Sequence, residues 1–363
     1  MKVLYDHQIF STQNYGGVSR YFFELMNYLN KYKEVDFELA LSYSNNYYLK
    51  NAPFSNHKTF SEKKKRWGLL DLLNKRNSKG ALKKKDFDVF HPTYYDLYFL
   101  KYLSKKPFIL TIYDMIHELY PQLFSDDTSK WKRLLAQKAA KIISISENTK
   151  RDIMKFYNID ESKIKVIYLG SSLKKNDNLI DPDIKLPENF ILFIGSRIRY
   201  KNFDLFIRAI TPLLKSSEDL YVVCVGSGRF SEVESYLFNK LNIEGRVLQY
   251  LINDDTLPYL YQKALAFVFP SLYEGFGIPV LEAFSCGCPV VLSNASSFPE
   301  VAGEAGIYFD PNDESSIREA VSKVVYGGEK VRKDLQFKGL EQLKKFSWEK
   351  TAKETIAVYK KLL

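Results

Sequence analysis

The sequence predicts an α/β protein built as two doubly wound parallel-sheet domains facing across a cleft. Three observations carry this expectation. Short apolar runs alternate with amphipathic stretches along nearly the whole chain, the pattern of parallel strands joined by crossover helices. The alternation halts once, in the polar stretch from Ser171 to Glu188 with its Pro182 and Pro187, and then resumes. At 363 residues the chain is too long for one ordinary core and suits two.

In the first series, strands are expected at Lys2–Tyr5, Phe37–Leu41, Val89–His91, Ile109–Ile112, Lys141–Ser144 and Ile164–Ile167. Helices are expected over Val18–Tyr32 and Thr128–Ala139, with another opening after Ser146, where Ser146 or Asn148 can cap it. The second series places strands at Phe190–Ile194, Tyr221–Val225, Val247–Leu251, Leu265–Phe269, Pro289–Leu292 and Ile307–Phe309. Its helices lie near Asp204–Leu214, Phe230–Leu241, Asp254–Lys263, Pro279–Phe284 and Asp313–Val325. The tail from Glu329 to Leu363 reads as helix broken near Phe346 to Trp348. The resulting plan is a first domain over residues 1–172, a linker over 173–189, a second domain over 190–345 and a final helix over 346–363. Open parallel sheets bind ligands beyond the carboxyl ends of their strands, so the chemistry is sought in the loops that follow strands.

A composition of 45% hydrophobic and 26% charged residues is that of a globular protein and excludes a disordered chain. The formal net charge of +10 fits an anionic partner, whether nucleic acid, an acidic membrane surface or a phosphorylated substrate. Much of the excess falls in residues 62–86, where Lys63, Lys64, Lys65, Arg66, Lys75, Arg76, Lys79, Lys83, Lys84 and Lys85 surround Trp67, Leu69, Leu70, Leu72 and Leu73. A segment lying on an anionic membrane and a solvated helix with a lysine-rich loop both fit this pattern. Cys224, Cys286 and Cys288 make no disulfide framework and read as small buried thiols in a reducing compartment. Asp6 and His7 come too early for a signal peptide, and no apolar run reaches membrane-spanning length. A cytoplasmic protein is expected, at most peripheral on the inner face of the membrane.

The densest cluster of functional signals is SLYEGFGIPVLEAFSCGCPVVLSN, from Ser271 to Asn294. Glu274 and Glu282 bracket Gly275, Phe276, Gly277 and Ile278, followed by Pro279. Glycines allow a tight turn against a ligand, and Pro279 suits the first turn of a helix whose free N–H groups attract an anion or a sugar oxygen. Carboxylates accept hydrogen bonds from hydroxyls, so a ribose or hexose suits the glutamate pair. A capping carboxylate beside a surface glutamate is the plainer account of the same two residues. A second cluster is ILFIGSRIRYKNFDLFIRAI, from Ile191 to Ile210, where an expected strand enters Gly195 and is followed by Arg197, Arg199 and Lys201. The fork of an arginine and the point charge of a lysine both match phosphate oxygens, although exposed basic loop residues would look the same. Arg199 reads as solvent-facing. Gly16-Gly17 precedes an expected helix and can bring amides to a phosphate. Gly226-Ser-Gly228 reads mainly as a tight turn.

The segment EGFGIPVLEA resembles the Glu-x7-Glu motif of retaining glycosyltransferases of GT-B architecture, in particular family 4. SNASSFPEVAGEAGIYFDPND, from Ser293, and FSWEKTAKETIAVY, from Phe346, are similar to the same family. The likeness is strong over Phe190 to Leu363 and weaker over Met1 to Gly170. It implies two Rossmann-like domains, with a UDP- or GDP-sugar on the second and the acceptor on the first. It also implies a last helix that crosses back to the first domain. By resemblance, Glu282 meets the ribose, Glu274 the donor hexose, and Arg197 and Lys201 the diphosphate, with Gly16, Gly17 and Gly195 in the donor loops. Members of the family commonly carry a histidine before an aspartate at the end of a strand of the first domain. Here that place holds Tyr113 beside Asp114, and a histidine follows only at His117. Either Tyr113 takes the contact or His117 swings in, and in front-face transfer the leaving phosphate can take the acceptor proton while Asp114 orients the acceptor. His91, and more weakly His7, sit near expected strand ends.

No cofactor and no metal are expected. Asp86-Phe-Asp88 and Asp181-Pro-Asp183 have the spacing of a metal-holding pair but read as structural, with Arg197 and Lys201 in the metal's place. The resemblance implies a retaining hexosyltransferase acting on a glycan or lipid-linked acceptor, by analogy in bacterial surface polysaccharide or glycolipid synthesis, with no nucleic-acid partner. The alternative is an inactive protein of the same fold that binds nucleic acid or an anionic membrane through its basic segment.

Overall fold

The computed structural model describes residues 1–60, 67–173, 184–252 and 255–363. The chain divides into two compact units, one of Met1–Leu169 with Trp348–Leu363, the other of Gly170–Ser347. Most of the 173–189 stretch, with the Asp181-Pro-Asp183 pair, lies outside the described residues, as do Lys63, Lys64, Lys65 and Arg66 of the basic segment.

The first unit holds strands β1 (Lys2–Tyr5), β2 (Asp36–Leu39), β3 (Val89–His91), β4 (Ile109–Ile112), β5 (Lys141–Ser144) and β6 (Ile164–Val166). They form two parallel three-stranded sheets, β2-β1-β3 and β4-β5-β6, joined by a single bridge between Phe90 and Phe108. Every residue of β3 and β4 is buried, as in a sheet covered on both faces. The helix Glu147–Tyr157 is capped by Ser146, whose hydroxyl accepts from the Thr149 amide at 3.0 Å. Asn148 instead donates to Asp152 one turn on.

The last helix, Trp348–Lys360, belongs to this unit. Thr351 donates to the Tyr168 carbonyl at 2.6 Å, and the Tyr359 hydroxyl sits 2.7 Å from both the Tyr5 hydroxyl and His91 Nδ1. His91, placed by the sequence at a strand end, is therefore a fully buried core residue. Its Nε2 meets Thr111 Oγ1 at 2.9 Å, and burial lowers its pKa to about 3, so it is neutral. The helix Trp67–Lys84 covers the basic segment's described part. Its buried side carries Asn74 and Ser78, which bond the Ser42–Tyr43 backbone and the Ala40 carbonyl, while Leu69 and Leu72 are exposed.

The second unit holds β7 (Asn189–Ile194), β8 (Leu220–Val225), β9 (Val247–Tyr250), β10 (Ala266–Phe269), β11 (Val290–Ser293) and β12 (Gly306–Phe309) in one parallel sheet, ordered β12-β11-β10-β7-β8-β9. The helices Phe203–Ser216 and Glu314–Val325 seat Phe206, Ile210, Ile317 and Val321 in one apolar core with Ile191, Val222 and Val268 of the sheet. The order of winding reverses between β7 and β10. The loops leaving these two strands open side by side at the carboxyl edge, the usual ligand position in such sheets. Cys224, Cys286 and Cys288 are buried free thiols.

Candidate active site

The two loops at this reversal are those that contain Lys201 and Glu274. After β7, Gly195 adopts φ +116°, and the chain makes a 3-10 turn over Arg199–Lys201 before the Phe203–Ser216 helix. After β10, the Leu272 amide donates to the Tyr200 carbonyl at 2.8 Å, which ties the turns together. Lys201 Nζ and Glu274 Oε1 then lie 2.5 Å apart, with side chains 15% and 14% exposed. The ammonium also rests 5.4 Å from the Phe269 ring centroid. A partly open ion pair of this kind presents one cation and one carboxylate to a ligand that carries both an anion and hydroxyls.

The Glu274 turn is held from behind. The Ser296 hydroxyl accepts from the Glu274 amide at 2.9 Å, and Ser297 donates to the Glu274 and Phe276 carbonyls at 2.9 and 3.0 Å. Gly277 takes φ +98°, and a Cβ there would stand 3.3 Å from the Phe298 ring. This turn needs glycine both for its dihedral and for its space. The helix Ile278–Ser285 follows, with Pro279 in its first turn. Glu282 on that helix is 4% exposed, and the buried Tyr261 hydroxyl donates to its Oε2 at 3.3 Å. Burial holds the Tyr261 phenol far above its ordinary pKa, so it remains a donor.

Arg197 points elsewhere. Its guanidinium pairs with Glu234 at 2.5 Å and donates to the carbonyls of Gly226, Gly228 and Arg229 at 3.1, 3.1 and 3.2 Å. It also lies 4.8 Å from the Phe230 ring centroid, and its side chain is only 4% exposed. Burial pushes the Glu234 carboxyl up, but the bonds from Arg197 and Ser231 outweigh this and hold it below its ordinary value. The structure thus separates the two cations that the sequence groups together. Lys201 meets Glu274, and Arg197 clamps the Gly226–Arg229 turn. Gly226, at φ +93°, packs against Gly195, where a Cβ would meet the Gly195 carbonyl oxygen at 3.2 Å. Arg199 is exposed.

In the first unit the polar residues at strand ends are mostly enclosed. Tyr113, in the place the family gives to histidine, is a core residue with its ring 5.6 Å from that of Tyr21 and its hydroxyl without a hydrogen-bond partner among the described residues. Asp114 Oδ1 accepts from the Ile116 amide at 3.0 Å. His117 lies against Phe124, ring centroids 4.0 Å apart, with Nδ1 unpartnered among the described residues; burial and then Lys132 lower its pKa, so it is a neutral base near pH 7. Gly16 caps the Gly17–Tyr32 helix with extended backbone, and Gln13 Oε1 accepts from the Ser19 amide at 3.2 Å in that first turn.

Three features had no forecast from sequence. Asp6, buried at the end of β1, accepts from the Thr93 amide and hydroxyl, Gln8 and Tyr98 at 2.7 to 2.9 Å. Lys132, buried, pairs with Glu118 at 2.9 Å and donates to the Asp114 carbonyl at 3.0 Å, while Tyr157 donates to Glu118. The Ser296–Ser297 brace is the third; its serines stand inside the family-like SNASSFPE string, the one signal that was available. Among the described residues no three His, Cys, Asp or Glu side chains gather as a metal site. Asp86 pairs with Lys2 at 2.8 Å, and Asp88 accepts from the Lys2 amide at 2.8 Å. No helix among the described residues is long and apolar enough to cross a membrane.

The chain is thus two parallel-sheet units, the second with a lysine–glutamate pair beside a glycine-kinked helix start. Comparison with known proteins carries this further. The Glycosyltransferase Family 4 model matches residues 15–175 and the Glycosyl transferases group 1 model matches residues 174–339. O-antigen chain mannosyltransferase B of Escherichia coli is 30% identical over 95% of this chain and 96% of its own length. O-antigen chain mannosyltransferase RfbU of Salmonella typhimurium is 31% identical over 59% of this chain and 60% of its own. Sucrose-phosphate synthase of Thermosynechococcus elongatus superposes with a TM-score of 0.77 at 19% identity, covering 99% of this chain and 98% of that one. Anabaena HepE in complex with UDP and glucose gives 0.75 at 17% identity, covering 98% of each chain. The chain belongs to glycosyltransferase family 4 and is a glycosyltransferase of GT-B architecture.

Proposed function

We propose that this glycosyltransferase moves a hexose from a UDP- or GDP-sugar to a hydroxyl of a glycan or lipid-linked acceptor, with retention and without a metal ion. The Lys201–Glu274 pair at the sheet reversal carries the reading. Lys201 meets the donor diphosphate and offsets the charge that grows on it as the glycosidic bond breaks. Glu274 accepts from hydroxyls of the transferred sugar, the amides of Gly275 to Ile278 line the same turn, and Glu282 takes the ribose. Arg197, spent on Glu234 and three carbonyls, acts on the donor by shaping the Gly226–Arg229 turn and its neighbour Gly195. Gly16 and Gly17 offer further amides to phosphate. Asp114 and His117 orient the acceptor, whose proton passes to the leaving phosphate.

The relatives named as O-antigen chain mannosyltransferases favour mannose as the sugar and surface polysaccharide as the product. HepE with UDP and glucose keeps a UDP-sugar in view. The exposed Leu69 and Leu72 on a helix with Arg76, Lys83 and Lys84 support peripheral contact with anionic lipid on the cytoplasmic side. The test is a thermal-shift panel of nucleotide-sugars. A GDP- or UDP-sugar is expected to raise Tm in the wild type and much less in Lys201→Ala. No stabilisation by any of them defeats the reading.

A further inference from the structure

The first unit carries an exposed aromatic group that none of the roles above uses. Tyr15 and Tyr47 are 54% and 38% exposed. Tyr15 stacks on Tyr48 with centroids 5.4 Å apart and planes at 29°, and Tyr47 meets both rings edge-on at 6.0 and 5.6 Å. Tyr48 stacks in turn on Phe23 at 5.9 Å, which roots the group in the Gly17–Tyr32 helix. The backbone beneath is stitched across two segments. The Tyr47 amide donates to the Asn14 carbonyl at 2.8 Å, and Asn46 Nδ2 donates to the Gln13 carbonyl at 2.7 Å. Large rings held out at the surface on a fixed backbone are a recognition feature, because their solvation is otherwise unfavourable and their ordering is already complete.

The surroundings indicate the ligand. Residues 11–17 (STQNYGG) and 42–48 (SYSNNYY) contain no charged side chain, in a protein whose charged fraction is 26%. The nearest cations, Arg20 and Lys50, are turned onto the Tyr48 and Tyr47 rings at 5.9 and 5.7 Å. Apart from these two cations, the surface of the two segments is neutral. A bilayer surface calls for exposed aliphatic residues beside cations, yet the exposed residues of these segments are Thr12, Asn14, Tyr15, Gly17 and Tyr47. Tyrosine faces with amide and hydroxyl groups at their edges suit a neutral ring that is apolar on its C–H face and polar at its rim. We propose that Tyr15, Tyr47 and Tyr48 form a stacking platform for a neutral saccharide, the sugar units of the acceptor that precede the hydroxyl being glycosylated. The platform lies just before the Gly16–Gly17 turn, on the chain that leaves β1. Its assignment to the acceptor rests on the glycosyltransfer reading; its chemistry does not.

The experiment has two arms. In the first, α-mannotriose is titrated into the donor-free protein and followed by saturation-transfer NMR. Wild type is expected to bind, Tyr15→Phe to bind comparably, and Tyr15→Ala to bind roughly tenfold more weakly, the scale of one lost ring stack. In the second, turnover with a soluble oligosaccharide acceptor is expected to show acceptor KM raised roughly tenfold in Tyr15→Ala, with donor KM and kcat unchanged. Tyr47→Ala joins the set if its Tm matches wild type; otherwise Tyr15 alone decides. Equal mannotriose affinity in wild type and Tyr15→Ala, or no binding to either, overturns the platform. So does a loss confined to binding of phosphatidylglycerol vesicles, or a rise in donor KM alone. If no nucleotide-sugar stabilises the protein while mannotriose binding still depends on Tyr15, the transfer reading fails and the platform stands.

Discussion

The loops that follow strands in the two units share a topological position and differ in what they do with charge. In the second unit, Lys201 and Glu274 remain partly open at the sheet edge and bond to each other. In the first, Asp6, His91 and Tyr113 at strand ends are enclosed, as is Lys132 on the Thr128–Lys138 helix, and all but Tyr113 are bound to buried partners. The same kind of residue stays partly open at the sheet edge in one unit and is enclosed as architecture in the other. A charge at a strand end is a binding group only when the neighbouring chain leaves it a face to solvent.

The sharpest break in the comparison would come from Lys132. Lys132→Ala leaves Glu118 buried without its cation, and thermal or denaturant unfolding is expected to show a loss of about 3–5 kcal/mol; a loss below about 1 kcal/mol would mean that the enclosed charges of the first unit matter no more than surface pairs. Lys201→Ala and Glu274→Ala are expected to do the reverse. Transfer should fall by roughly 10²–10³-fold in radiolabelled-sugar assays while stability changes little, since their pair is partly solvated. Tyr359→Phe removes a hydroxyl shared by Tyr5 and His91 and should cost about 1–3 kcal/mol in chemical denaturation, with kcat retained.

The last test is of pH. The folded His91 has its pKa lowered to about 3, so between there and its ordinary value the unfolded chain takes a proton that the folded chain refuses. Stability is therefore full above the ordinary histidine range and falls as pH drops through that window, by at most about 1.4 kcal/mol per pH unit. Denaturation midpoints taken from about pH 7 down to about pH 5 check this sign; a midpoint that rises in acid would contradict the enclosed, neutral imidazole.

Much of the framework was readable in one dimension. The strands Lys2–Tyr5, Val89–His91, Ile109–Ile112 and Lys141–Ser144 stand at the boundaries read from the sequence, because strands covered on both faces are continuous apolar runs. The Gly277 kink and the Pro279 helix start were legible because glycine and proline state their dihedral needs locally. The Trp67–Lys84 helix was harder, since its buried side mixes Asn74 and Ser78 with Ala81 and Leu82 while Leu69 and Leu72 are exposed. His91 misled for a related reason: it looks like a rim residue until Tyr359, 268 positions later, closes over it.

By itself, then, the sequence determined the two alternating series and the glycine-kinked helix start, both of which follow from local dihedral and hydrophobic rules; that the basic turn meets the acidic one was an expectation from resemblance, since Lys201 and Glu274 stand 73 positions apart. Tertiary structure alone decided which polar side chains keep a solvent face. Arg197 and Lys201 are near neighbours in sequence, yet one is consumed by Glu234 and three carbonyls while the other stands over Glu274. The reason is physical: a side chain's desolvation and its hydrogen-bond partners are set by residues tens to hundreds of positions away, and no local pattern encodes them.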